Sequence, residues 1–77
     1  MMVETDPIKL RESRIAQIKD FARVQLELRG LPVNTYSYRE FLAREVRARF
    51  HIGWTESYDI AEIAGDIALR EWRQSNE

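Results

Sequence analysis

The chain has 77 residues, no cysteine and a formal net charge of −1, from 12 Lys and Arg against 13 Asp and Glu. The absence of cysteine excludes disulfides and thiolate metal sites, and a charge near zero argues against a protein that coats nucleic acid. This length predicts one domain, and a domain this small buries only about 60% of its unfolded surface. We therefore expect a single domain over residues 1–77, frayed at residues 1–5 and 75–77.

The chain lacks the features that direct a protein into or across a membrane. Its start, MMVETDPIKL, has neither the basic segment nor the long apolar run of a signal peptide. No stretch approaches the roughly 20 apolar residues of a membrane span. We expect a cytoplasmic protein, acting in the host cytoplasm if a virus encodes it, with no membrane partner.

The first helix is predicted over residues 7–29. Asp6 serves as its N-cap, and Pro7 suits the first position because its missing N–H would have no helical partner there. Gly30 is the predicted left-handed residue beyond the C-cap, and Pro32 blocks continuation. Apolar residues at helical spacing predict the face that packs on the core: Ile15, Ile18, Phe21, Ala22 and Leu28.

The second helix is predicted over residues 38–52. Ser37 and Glu40 form the capping box S-Y-R-E, and Gly53 is the predicted stop. Four apolar residues at helical spacing predict the core face: Tyr38, Leu42, Val46 and Phe50.

The two connections also carry large apolar residues. Leu31 and Val33, between the first two helices, are predicted to fold back onto the core. Trp54, between the second and third helices, is predicted to close one end of the core.

The third helix is predicted over residues 56–73, with Thr55 as N-cap, and it should be the central element. Ile60, Ile63 and Ile67 form one apolar ridge, and a second flank of small and aromatic residues lies beside it. A helix that is apolar on two sides needs two neighbours. The sequence therefore predicts an all-α three-helix bundle with short connections.

Charge is unevenly distributed along the chain. Residues 37–54 carry a net charge of +2 and residues 55–77 a net charge of −4. The simplest explanation is a basic second helix beside an acidic third, and two opposed patches are the alternative.

Catalysis and cofactor binding are not expected. The sequence contains no nucleophile elbow, HExxH motif or glycine-rich phosphate loop. His51 is the only histidine. One helix face carries Asp59, Glu62 and Asp66, which supplies too few oxygen ligands for a divalent cation. We expect a protein that is not an enzyme and that holds neither cofactor nor metal.

Two groups of residues are candidates for contact with a partner. Arg44, Arg47 and His51 share one face of the second helix, opposite its core face. Tyr36 and Tyr38 flank the first connection and, with Arg39, form the other candidate, since aromatic residues and arginine dominate binding hot spots.

These features favour a small helical interaction or regulatory protein that acts by binding another macromolecule, foremost a protein. Inhibitors and regulators of phage or plasmid type have this size and composition, which is an analogy of class. A small core without a covalent staple also gains stability by association. We therefore predict a homodimer whose contact face lies on the third helix and comprises Ala61, Gly65, Ala68, Leu69 and Trp72.

The segment YDIAEIAG, residues 58–65, resembles the first helix and turn glycine of the helix-turn-helix in LacI-type repressors. Ala61 stands where that motif has a small residue for helix crossing, and Gly65 stands at the turn. The chain departs from the motif beyond the glycine, where apolar positions are filled by Asp66, Glu71 and Gln74.

The resemblance implies an alternative function, a DNA-binding transcriptional regulator that uses residues 55–73. Arg70 and Arg73 would then contact bases or phosphates in the major groove. An unbroken helix explains the pattern better, because Ile67 and Trp72 continue the earlier apolar face past Gly65.

Overall fold

The computed structural model describes residues 6–76, which form three helices: α1 (Pro7–Arg29), α2 (Thr35–Phe50) and α3 (Trp54–Ser75). All regular secondary structure in this range is α-helical. The prediction of an all-α three-helix bundle with short connections is confirmed. The fraying predicted for residues 1–5 and 77 lies outside the described residues, while Ser75 ends α3 and Asn76 caps it.

The ends of α1 follow the sequence signals closely. The Asp6 side chain accepts a hydrogen bond from the N–H of Ile8 at 2.9 Å, and Pro7 is the first helical residue. Gly30 has the expected positive φ of 78°, but its ψ of −168° lies outside the left-handed helical region and the residue is itself the C-cap. Its N–H donates to the carbonyl of Leu26 at 2.7 Å.

The predicted ends of α2 are wrong at both termini. Asn34 is the N-cap, and its side chain accepts the N–H of Ser37 at 3.1 Å, so the capping box does not form. Glu40 pairs with Arg44 one turn later instead. His51 adopts the left-handed conformation with φ 55° and ends the helix before Gly53. The Asn34 side chain caps the helix three residues upstream and takes the N–H of Ser37, which in the capping box would bond to the Glu40 side chain.

Helix α3 begins earlier than predicted. Gly53, not Thr55, is its N-cap and supplies no side-chain hydrogen bond. The Ser57 hydroxyl donates to the Gly53 carbonyl at 2.7 Å. From there α3 continues without a break through Gly65 to Ser75.

Helix α3 lies between the other two, because α1 and α2 each pack along it and contact each other only sparsely. Its most buried face is the row of small residues Ala61, Ala64, Gly65 and Ala68, together with Ile60. Ile63 and Ile67 are half-buried, so the predicted ridge is less enclosed than the flank beside it. Small side chains allow both neighbours to approach the α3 backbone closely. From α1 and α2 the core receives Ile18, Ala22, Leu26, Tyr38, Leu42, Ala43 and Val46.

Four apolar residues predicted in the core are exposed instead. Leu28 is 74% exposed, and Leu26 takes its place in the core because it continues the row of Ile18 and Ala22 at four-residue spacing. Leu31 and Val33 also face solvent. Trp54 is 44% exposed and does not close the core. Each of these predictions assumed that a large apolar residue is buried because it is apolar. Folded proteins nevertheless keep many apolar atoms at the surface.

The acidic strip of α3 is paired with basic side chains from both neighbouring helices. Asp59 pairs with Arg11 of α1, and Glu71 lies 3.1 Å from Arg23 and 3.4 Å from Lys19. On the other side Arg39 of α2 lies 3.4 Å from Glu62 and 3.9 Å from Asp66. The opposite charges of α2 and α3 therefore meet within the bundle, as the simpler explanation of the charge distribution predicts.

Gly65 lies where α2 packs closely against α3. A Cβ atom at this position would lie 3.0 Å from both Leu42 Cδ1 and Tyr38 Cε2. Without it, the buried Tyr38 ring lies against the α3 backbone and its hydroxyl donates to the Gly65 carbonyl at 3.1 Å. The glycine that sequence reasoning considered as a turn residue therefore serves as a crossing point.

Tyr38 should make stability depend on pH in the alkaline range. Burial, with a smaller contribution from Asp66, raises the pKa of Tyr38 from 10.0 to about 12. The unfolded chain therefore releases this proton first, so the stabilisation is complete below pH 10 and is lost as the pH rises toward 12. We expect Tyr38→Phe to lose about 1 kcal/mol at neutral pH through the missing hydrogen bond, and to lack this alkaline component. Urea unfolding of both proteins at several pH values measures the difference, and parallel pH profiles would contradict it.

Candidate functional site

A groove, called here the seam groove, runs between α1 and α2 because both helices pack on α3 and leave the space between them open. At its base the rings of Phe21 and Phe41 stack, with centroids 5.7 Å apart. It comprises two adjoining cavities of about 560 and 480 Å³, which share Gln25. Four of the apolar side chains that line it are exposed to solvent: Val24, Leu31, Val33 and Phe41.

Arginine side chains lie along the seam. Arg49 is positioned 5.1 Å above the Phe21 ring and pairs with Glu45, while Arg29 lies 5.5 Å above Phe41. Arg14 covers Phe50 in the same way at 5.2 Å. Among residues 6–76, neither Arg14 nor Arg29 has a carboxylate oxygen within 4.0 Å. Of the two arginines that line the groove, Arg49 is therefore paired and Arg29 carries a positive charge that the described part of the chain leaves uncompensated, while Asp20 adds a carboxylate to the lining near Arg49.

A separate cavity, called here the corner pocket, lies at the junction of α2 and α3 and measures about 790 Å³. It brings together the three residues that the sequence placed on one face of the second helix, Arg44, Arg47 and His51. Trp54 joins them from the start of α3, and the Arg47 guanidinium lies 4.2 Å from its ring centroid. All three basic side chains are exposed.

The predicted patch of Tyr36, Tyr38 and Arg39 does not form as one surface. Tyr36 is exposed, and the neighbouring carboxylate of Glu40 raises its pKa. Tyr38 is 8% exposed, its hydroxyl donates to the Gly65 carbonyl, and the part of it that remains open lines the seam groove. Arg39 is engaged with α3 through its ion pairs. Successive helical residues point in different directions, so neighbours in sequence were divided between surface and core.

The predicted oligomer face is largely enclosed by the chain's own helices. Ala61, Gly65 and Ala68 are fully buried between α1 and α2. Leu69 and Trp72 are half-buried against the core. The small residues of α3 therefore accommodate this chain's own helices and do not offer a free face to a second copy.

The helix-turn-helix alternative requires a turn at Gly65, and α3 has none there. Arg70 and Arg73 are exposed on α3, but no recognition helix separates from an earlier one. The resemblance to LacI-type repressors therefore ends with the eight residues that suggested it, since Gly65 packs against Tyr38 instead of turning.

Within residues 6–76, no group of three or more His, Asp or Glu side chains is arranged to hold a metal ion. None of the three helices contains a segment that is both long and apolar enough to cross a bilayer.

Sequence reasoning missed the seam groove, although a signal for it exists. Phe21 and Val24, at i and i+3 on α1, both line the groove, and Leu28 continues their spacing without lining either cavity. The core face predicted for α1 included both Phe21 and Leu28, which left this second stripe unrecognised. A helix with two apolar stripes needs two neighbours, and the described chain supplies only one of them in full.

Comparisons with protein-family models, with curated proteins and with solved structures found no match to this chain.

Proposed function

We propose that this protein is a small helical interaction protein that binds an α-helix of another protein in the seam groove. The observation that supports this most directly is the row of exposed apolar side chains over the Phe21–Phe41 stack. Exposed apolar surface that lines a continuous groove is typical of interaction sites. A helix laid between α1 and α2 would cover these side chains and complete a four-helix arrangement.

The dimensions of the groove suit a short helix. Its lining along α1 extends from Gln17 to Arg29, a span of roughly 18 Å at 1.5 Å per residue, and continues into the first connection. A partner helix of about three to four turns matches the span along α1. Such a helix would present apolar anchors at i, i+3, i+4 and i+7, the usual mode of helix-in-groove recognition.

The charge along the seam indicates the character of that helix. Arg14 and Arg29, which have no carboxylate partner among residues 6–76, lie towards opposite ends of α1. Acidic side chains on the partner helix would pair with them, and charge complementarity of this kind favours specificity and fast association. We infer an acidic amphipathic helix as the occupant.

Binding of this type is sufficient for a regulatory role. A protein that covers a helix of its target blocks whatever else that helix contacts, which is how an inhibitor or regulator of phage or plasmid type would act. The proposed setting is the cytoplasm, which agrees with the absence of cysteine from the sequence.

The test uses two synthetic helical peptides of about 15 residues with identical apolar positions, one with Glu and one with Lys flanking them. We expect the acidic peptide to bind more tightly in isothermal titration calorimetry. Val24→Asp should weaken that binding by about tenfold or more, because it places a charge among the apolar anchors. Val24 is 53% exposed, so circular dichroism should show an unchanged fold.

The matched control is Ile8→Asp, which makes the same kind of change at a residue that is 70% exposed and lines neither cavity of the groove. It should bind the acidic peptide like the wild type. Equal affinity for both peptides would contradict the proposed charge preference. Sedimentation showing a dimer that Val24→Asp dissociates would instead identify a second copy as the occupant and overturn the proposal.

A further inference from the structure

The corner pocket is basic on one side and apolar on the other. Its lining residues include two arginines and a histidine and no carboxylate. Ala48, Ile52 and Trp54 supply apolar surface to the same cavity. None of these residues lines the seam groove. The cavity volume of about 790 Å³ lies within the range of small-molecule sites.

Arg47 is held in position before any ligand arrives. Its guanidinium lies over the Trp54 ring at 4.2 Å, and its Nε donates to the carbonyl of Ile52 at 3.4 Å. Among residues 6–76 it forms no ion pair, in contrast to Arg44, whose Nη2 lies 3.2 Å from Glu40. The terminal nitrogens of Arg47 therefore remain as donors for an external acceptor, at low entropic cost because the side chain is already oriented.

We propose that the corner pocket binds a phosphate monoester, with the phosphate on Arg47, Arg44 and His51 and its organic part on Ile52 and Trp54. Arginine forks match the oxygens of phosphate and bind them with charge-assisted hydrogen bonds. A phosphate dianion carries two charges, which matches the two arginines that line this pocket. The apolar wall favours an ester that carries a ring or a hydrocarbon body over the bare ion.

The test measures binding of phenyl phosphate by isothermal titration calorimetry, with phenyl sulfate and inorganic phosphate as comparison ligands. Phenyl sulfate has the same shape and one negative charge fewer, so we expect it to bind about tenfold more weakly. Inorganic phosphate lacks the ring and should also bind more weakly. Amide and indole shifts in NMR spectra should map to the segment from Arg44 to Trp54.

Arg47→Gln should weaken phenyl phosphate binding about tenfold or more, and Arg47→Lys should retain part of it, since the charge remains but the fork is lost. Arg44→Gln provides a second variant at an exposed position. The matched control is Arg70→Gln, which removes an exposed arginine of α3 that has no ion pair in residues 6–76 and lines none of the three cavities. It should bind like the wild type.

Several results would overturn the proposal. Equal binding of phenyl phosphate and phenyl sulfate would show that the pocket does not select a dianion. Equal binding of inorganic phosphate would remove the role assigned to the apolar wall. A single-stranded oligonucleotide without terminal phosphate that binds more tightly than phenyl phosphate would identify a nucleic-acid surface instead.

Val24 lies outside this pocket, so Val24→Asp should leave phenyl phosphate binding unchanged. The phosphate proposal and the helix-binding proposal can therefore fail separately.

Discussion

The Ile60→Asp variant is expected to be unfolded at room temperature. Ile60 is completely buried in the core cluster with Ile18, Leu42 and Val46. Removing its apolar side chain alone costs about 2–5 kcal/mol, and burying an unpaired carboxylate costs several more. The sum approaches or exceeds the total stability of a domain of this size, about 4–12 kcal/mol. Far-UV circular dichroism and thermal melting measure the loss of helix.

Ile63→Asp is the matched comparison, three residues along the same helix. Ile63 is only half-buried, so its carboxylate would retain part of its hydration. This variant should be destabilised but still unfold cooperatively. A cooperative Ile60→Asp variant with stability within about 1 kcal/mol of the wild type would show that α3 is not enclosed as described.

Replacing Gly65 by Leu is expected to lower the free energy of unfolding by about 3 kcal/mol or more. Even a single Cβ would lie 3.0 Å from both Leu42 and Tyr38, and three further carbon atoms have no space between α2 and α3. The helices must separate, which also breaks the hydrogen bond from the Tyr38 hydroxyl. Urea unfolding measures the effect.

Two glycine variants make this prediction specific. Gly53→Leu should cost about 1 kcal/mol or less, since a Cβ there meets nothing within 4 Å and only the N-cap preference changes. Gly65→Ala should be close to neutral, because a gain in helix propensity of about 1 kcal/mol opposes the tight contact. If leucine were tolerated equally at both positions, Gly65 would not be the crossing point of α2 and α3.

The two candidate surfaces belong to the helices that α3 supports. The seam groove is lined by α1, the first connection and α2, while the corner pocket uses the end of α2 and the start of α3. Because they share no lining residue, one surface can be tested without disturbing the other. The two proposals are therefore independent, since binding of a helix in the seam groove does not require any residue of the corner pocket.

The two candidate surfaces differ in how much of each can be predicted from residues that are close together in the sequence. Arg44, Arg47 and His51 meet because they share one helix face, and spacing along a helix predicts this directly. The contribution of Trp54 depends on the angle at which α3 leaves the corner, which follows from the left-handed backbone of His51. The position of the seam groove depends on which of the two apolar stripes of α1 packs on α3. Both stripes have helical spacing, so the spacing of residues does not show which one is buried.

The sequence by itself determined the number of helices, the N-cap of α1 at Asp6 and the unbroken course of α3, because capping and periodicity act within a few residues. Only the tertiary structure decided that the Ala61–Ala68 face is the most deeply buried part of α3, that Leu26 lies inside and Leu28 outside, and that α1 and α2 leave a groove between them. The physical reason is that the burial of a side chain depends on which neighbouring helix packs against it. Gly65 contributes to this packing because it lets α2 come close to the α3 backbone.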